Sequence, residues 1–247
     1  MTSRRLDEEL VARGLVASRS RARDLVLRGL VKVDGQAARK PSQPVLPSTE
    51  LSLAEGADRY VSRAALKLVH GLEHFEIDVA GRHCLDLGAS TGGFTQVLLE
   101  RGAAHVTAVD VGHGQMAPTL ASDRRVTIFE GVNARVLTRE HVPDATSLIV
   151  CDVSFISLKL ALPAALDLVN TGTELVALIK PQFEVGRDGL GKGGIVRDEP
   201  LLQQTCNDID RWLRDRGWHV RGIVPSPIAG GDGNREFLIS AAKTVTA

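Results

Sequence analysis

Asp152 and Lys180 each stand directly after an apolar run, residues 148–151 and 174–179. In sheets built from parallel strands, ligands bind beyond the carboxyl ends, so polar residues ending two neighbouring strands can share a crevice. An ammonium placed there can orient an oxygen lone pair and stabilise developing negative charge, with the carboxylate anchoring it. A desolvated lysine could instead serve as the base. Pro181 argues that the strand stops at Lys180 and does not continue as a helix. A third strand end, residues 84–87, runs into Gly88-Ala89-Ser90-Thr91-Gly92-Gly93-Phe94. Such a turn lets backbone approach a ligand without Cβ obstruction, and the helix after it presents unpaired N–H groups. Asp110, about twenty residues on and after strand 105–109, can accept from both hydroxyls of a ribose. The spacing is G-x-x-x-G-G and not the G-x-G-x-x-G that receives a pyrophosphate, which disfavours a nicotinamide cofactor. Asp86, two residues before the first glycine, suits a cationic amino-acid cofactor, either in direct contact or as an acceptor that orders the turn.

These groups need a scaffold. Residues 61–72 read as a helix with Val61, Ala65, Leu68 and Leu72 on one flank and Gly71 near its end. Gly93 opens a second helix with Phe94, Val97 and Leu98 inward. Residues 126–129 form a strand followed by Val132 and Asn133, and residues 220–224 and 236–240 form a closing pair joined by a turn with Gly230, Gly231 and Gly233. Strand, glycine turn, helix and strand in this order predict a doubly wound α/β sheet. Ser154-Phe155-Ile156-Ser157 is expected to shape the rim of the crevice. Residues 184–197, with five glycines and Arg187, Lys192 and Arg197, read as a mobile loop able to reach phosphates, or as a plain surface connection. Leu201, Leu202, Thr205, Ile209, Trp212 and Leu213 form a core stripe.

A small basic module comes first. Residues 1–40 hold ten Arg or Lys against five Asp or Glu, a net of +5 within a chain of 247 residues whose formal charge is zero. Residues 4–13 and 19–28 read as helices, the second capped by Ser18. Residues 30–33 and 51–53 read as strands, with a turn at Asp34-Gly35. Arg4, Arg5, Arg19, Arg21, Arg23, Arg28, Lys32, Arg39 and Lys40 could engage successive phosphates of RNA or DNA, and equally could only keep a small module soluble.

Three groups of motifs carry a resemblance. Arg5-Leu6-Asp7, Ser18-Arg19-Ser20-Arg21-Ala22 and residues 29–35 are similar to the ribosomal-protein-S4-type RNA-binding domain, which favours RNA over DNA. Asp86-Leu87-Gly88-Ala89-Ser90-Thr91-Gly92-Gly93-Phe94-Thr95 resembles motif I of class I methyltransferases, in particular the FtsJ-like branch that methylates RNA ribose. The surroundings of Lys67, Asp152, Lys180 and Glu236 resemble the Lys-Asp-Lys-Glu tetrad of that branch, and most of all the bacterial TlyA-type ribosomal RNA methyltransferases, historically labelled hemolysins. The resemblance covers nearly the whole chain. It implies a Rossmann-like mixed sheet over residues 61–247, an S4-like domain over 1–55 and a linker at 56–60. It also implies S-adenosylmethionine as cofactor with no metal, held by Asp86, Gly88, Ala89, Ser90, Thr91, Gly92, Gly93, Phe94, Asp110, Val132, Asn133 and Asp152. The expected substrate is ribosomal RNA or a ribosomal subunit: a cytidine 2′-hydroxyl of the large-subunit RNA, with the small-subunit RNA a second candidate.

Composition, 43% hydrophobic and 24% charged, is that of an ordinary soluble protein. Cys84, Cys151 and Cys206 fit neither a disulfide framework nor a zinc site, and a cytoplasmic setting without a membrane partner is expected. The competing reading is a non-catalytic RNA-binding or ribosome-assembly factor that keeps a vestigial methyltransferase fold. A pore-forming role is disfavoured, because no stretch is long and apolar enough to span a bilayer.

Overall fold

The computed structural model describes residues 3–16, 18–54, 59–230 and 233–244. Residues 56–58 of the expected linker, and Gly231, lie outside the described residues. The chain divides into two units, residues 1–63 and 64–247, each with its own core.

In the first unit, helices Leu6–Ala12 and Arg19–Leu27 bury Leu6, Leu10, Ala22, Leu25 and Val26 against one another. Ser18 caps the second helix, its Oγ accepting from the Arg21 amide at 3.2 Å. Strand Val31–Val33 pairs antiparallel with Gln36–Ala37 and with Leu51–Leu53. Asp34 and Gly35, with φ of 49° and 80°, supply the left-handed turn that a two-residue hairpin requires. Arg4–Arg5 pairs with Pro44–Val45, a ribbon that periodicity did not disclose.

The second unit is a seven-stranded sheet: β1 His83–Leu87, β2 His105–Val109, β3 Val126–Phe129, β4 Thr146–Cys151, β5 Glu174–Ile179, β6 Trp218–Pro225 and β7 Phe237–Lys243, in the order β6-β7-β5-β4-β1-β2-β3. β1 to β5 are parallel and β7 is antiparallel to both neighbours. It is the class I methyltransferase arrangement, with a topological switch between β1 and β4. Register aligns the strand ends: Leu87 pairs with Val109 and with Cys151, and Ile179 with Phe237. Gly88, Asp110, Asp152 and Lys180 therefore leave one edge together. Because β7 runs the other way, Glu236 enters at that same edge.

Helix α1 spans Ala64–His74 and α2 spans Gly93–Glu100. α1 begins three residues later than its apolar spacing predicts and continues past Gly71. A Cβ at Gly71 would stand 3.2 Å from Val176 Cγ1, so this glycine permits close helix–sheet packing and does not end the helix. Helix α3 spans Leu158–Ala161, and Pro181–Glu184 is a one-turn helix, α4. Pro181 thus starts a helix where it was expected to prevent one. At the first helical position no intrahelical N–H bond is needed. Residues 184–197 contain two 3₁₀ turns, Arg187–Gly189 and Lys192–Gly194, and the buried Asn234 holds the second by accepting from Val196 N at 3.0 Å and donating to Gly194 O. Helix α5, Glu199–Asp215, buries Leu202, Thr205, Ile209 and Leu213 against the sheet, with Trp212 half-buried beside them. Among the described residues no helix is long and apolar enough to cross a membrane.

Candidate active site

A cavity of about 510 Å³ opens at the carboxyl edge, where β1, β2 and β4 end. Gly88, Ser90, Asp110, Val132, Asn133 and Asp152 line it, as do Ser154, Phe155 and Ile156 of the expected rim and a set that the sequence reading missed: Val109, Val111, Gln115, Ala134 and Val153. Asp110 braces the glycine turn, accepting from Ser90 N at 2.8 Å and from Gly112 N at 2.7 Å. Each carboxylate oxygen keeps further acceptor capacity toward the cavity. A Cβ at Gly88 (φ 81°) would lie 2.9 Å from the Asp152 carbonyl oxygen, so only glycine lets the turn close over the end of β4.

The rest of the turn has other work. Asp86 is wholly buried and accepts from Thr95 Oγ1 at 2.6 Å, tying β1 to the first turn of α2. Burial, with smaller contributions from Asp152 and Asp110, pushes its carboxyl up to about 7. It is absent from the cavity wall and holds the shape of the loop. Thr95 was legible in the motif but was not assigned a role. Ala89 and Phe94 are buried, and Gly92 caps α2 against Met116 and Leu120. Thr91 and Gly93 do not line the cavity either.

Lys180 is 7% exposed, and its Nζ lies 2.6 Å from Asp152 Oδ1 and 2.8 Å from Ser154 Oγ, two groups of the cavity wall. The ammonium is thus one hydrogen bond from the space a ligand would fill. Lys67, from α1, and Glu236 form a second buried pair at 2.5 Å. The four residues expected to act together are assembled pairwise at adjoining strand ends. A second cavity of about 780 Å³ shares Asn133, Phe155 and Ile156 with the first and extends to Arg135, Gln182 and Phe183. Phe155 stands between the two, 91% exposed and at φ 65°. A bulky residue in that conformation costs about 1–3 kcal/mol, so its neighbours must enforce it.

Within the first unit, acids take up part of the basic set. Arg4 pairs with Glu9, Arg5 with Asp7, Arg19 with Glu8, and Arg28 with Asp24, while Arg21 donates to Tyr60 O. Arg5 holds the buried Asp7 carboxyl below its ordinary range. Arg23, Lys32, Arg39 and Lys40 are exposed, as is Lys192 in the second unit, and the side chain of Arg187 lies outside the described residues. The three cysteines are free and buried, with the Cys84 and Cys151 thiols pushed up to about 12.

Comparison with known proteins gives two family matches: an FtsJ-like methyltransferase over residues 60–243 and an S4 domain over residues 4–51. The chain is 48% identical over 236 residues to the 16S/23S rRNA (cytidine-2′-O)-methyltransferase TlyA of Mycobacterium tuberculosis (strain ATCC 25618 / H37Rv), spanning 95% of this chain and 88% of that protein. It is 40% identical to Hemolysin A of Brachyspira hyodysenteriae, over 95% and 98% of the two chains. A hemolysin-labelled structure from Streptococcus thermophilus superposes with a TM-score of 0.78 at 40% identity, covering 100% of this chain and 90% of that one.

Proposed function

Because the chain belongs to the TlyA-type family of ribosomal RNA methyltransferases, which joins an S4 domain to an FtsJ-like methyltransferase domain, we propose that it methylates a ribose 2′-hydroxyl, that of a cytidine, in large-subunit ribosomal RNA. The small-subunit RNA is a second proposed target. The observation that carries this reading is the placement of Lys180 Nζ within hydrogen-bond reach of Asp152 and Ser154 on the cavity wall.

The cavity suits S-adenosylmethionine. Asp110 offers acceptors to ribose hydroxyls, the wall at Val132 and Asn133 fits an adenine, and the carboxylates of Asp110 and Asp152 on the wall make the cavity favourable for a cation. When bound, the cofactor supplies an electrophilic methyl on a sulfonium. The protein's own task is alignment. Lys180, paired with Asp152, donates to the 2′-oxygen, directs a lone pair at the methyl and stabilises the charge that grows on that oxygen as its proton is lost to solvent water. Lys67 and Glu236 fix the adjoining strand end. Phe155 offers a face on which an unstacked base can rest. Exposed cations of the S4 domain, with Lys192 and Arg187, hold phosphates without reading sequence.

Purified subunits and free RNA, supplied with methyl-labelled cofactor, test this: label should appear on a cytidine ribose of the large subunit, with the small subunit assayed as the second target, mapped by mass spectrometry. Binding without transfer would favour the non-catalytic reading. Gly88→Ala is expected to weaken cofactor binding by about tenfold or more, roughly the 1–2 kcal/mol of a left-handed alanine plus its contact with β4. Calorimetric titration with S-adenosylmethionine checks it, and unchanged affinity would remove the close-approach argument.

A further inference from the structure

The loop that carries Asp152 is fastened to the segment that carries Lys180 at three successive points. Lys180 Nζ meets Asp152 and Ser154. The Phe183 ring lies 5.2 Å from that of Phe155. Glu184, at the far end of α4, accepts from Ser157 Oγ at 2.5 Å and from Leu158 N at 2.8 Å. Ser157 already caps α3 through Lys159 N, so Glu184 adds a second cap, a carboxylate supplied from the end of α4. Neither ion pair uses this group, yet it is half-buried and both of its oxygens are engaged.

From this arrangement we propose that Glu184 is a positioning residue for methyl transfer: by locking α3 to α4 it holds the 152–157 loop, and with it Asp152 and Ser154, in the geometry that aims Lys180 at the substrate oxygen. The inference rests on the function proposed above. The loop contains Phe155 at a positive φ, so it will relax unless both ends are held. Lys180 holds the near end and Glu184 the far end. The group touches neither cavity centre nor ligand, and its influence runs through Lys180.

The test is steady-state methylation of ribosomal subunits by the full chain carrying Glu184→Ala, Glu184→Gln or Ser157→Ala, alongside calorimetric cofactor binding and thermal melting. Glu184→Ala should lower kcat by about 30- to 100-fold, as expected for misplacement of a reacting group by about an ångström. KM for subunits and Kd for the cofactor should change far less than kcat, by no more than about fivefold, because Glu184 contacts neither ligand even though the loop it holds lines the cavity. Glu184→Gln keeps an acceptor for Leu158 N and should recover to within about threefold of the parent. Ser157→Ala keeps the carboxylate but removes one of its two donors, and should lose about five- to tenfold in kcat, a readout that stands even where Glu184→Ala yields no folded protein. Unchanged kcat in Ser157→Ala, a loss confined to KM or Kd, or no rescue by Gln would each overturn the proposal. A parent protein that transfers no label at all would instead overturn the function on which it rests.

Discussion

Lys180→Met is expected to cut methyl transfer by about a thousandfold or more while cofactor affinity stays within about threefold, the pattern of an interaction made only in the transition state. Methionine keeps the length and apolar stem of lysine but cannot donate to the 2′-oxygen. A thousandfold loss corresponds to about 4 kcal/mol, in the range found when one preorganised donor to developing negative charge is removed. The side effect has a known source: Asp152 Oδ1, 2.6 Å from Nζ in the parent, loses its cation at a site where only 13% of the side chain is exposed. Asp152→Asn in the Lys180→Met background removes that orphaned charge, so it should restore lost stability without restoring transfer. Lys180→Arg should also fail, because a planar fork cannot place a single donor where the ammonium sits between Asp152 and Ser154. Single-turnover assays with labelled cofactor would measure these rates. Transfer within tenfold of the parent by the methionine variant would remove Lys180 from the chemistry.

The parts of this site that were legible in the sequence share one property. Asp110, Asp152 and Lys180 each end a parallel strand that announces itself as an apolar run, so strand end and crevice follow from one pattern. Glu236 has no such signal. It precedes an antiparallel strand, and its place at the same edge follows only from the pairing of Ile179 with Phe237, so local spacing was silent and only the motif resemblance pointed to it. Lys67 carries no signal of its own, because one charge every few turns is ordinary on a helix, and only the tertiary partner makes its burial tolerable. Asp86 lay in the right motif, but β1 is covered on both faces, and nothing in the spacing says which way its carboxylate turns. Phe155 read as a rim residue without its conformation, since a positive φ at a bulky side chain is imposed by contacts and not by local preference. Glu184 sat at the start of a glycine-rich run and looked like surface. The basic module shows the opposite failure: its cations were easy to count, whereas the acids that occupy them were not weighed, Asp7, Glu9 and Asp24 lying within five residues of Arg5, Arg4 and Arg28, and only Glu8 reaching Arg19 through the fold.

Breaking the second buried pair should separate stability from catalysis. Glu236→Leu leaves Lys67 with only 6% of its side chain exposed and no counter-charge, a change that costs about 3–5 kcal/mol when a buried pair loses one partner. In a chain of this size, at about 2–4 °C per kcal/mol, Tm is expected to fall by roughly 10 °C. Lys67→Met combined with Glu236→Leu removes both charges and replaces them with apolar volume between α1 and the β7 edge, a substitution that is often neutral or stabilising. Most of the lost Tm should therefore return. Methyl transfer should not return if the pair also sets the electrostatics and geometry next to Lys180. Melting curves and labelled-methyl assays on parent, single and double variants make the comparison. A double variant that regains both stability and rate would show that Lys67 and Glu236 are packing partners alone, and would leave Lys180 and Asp152 as the whole of the reacting apparatus.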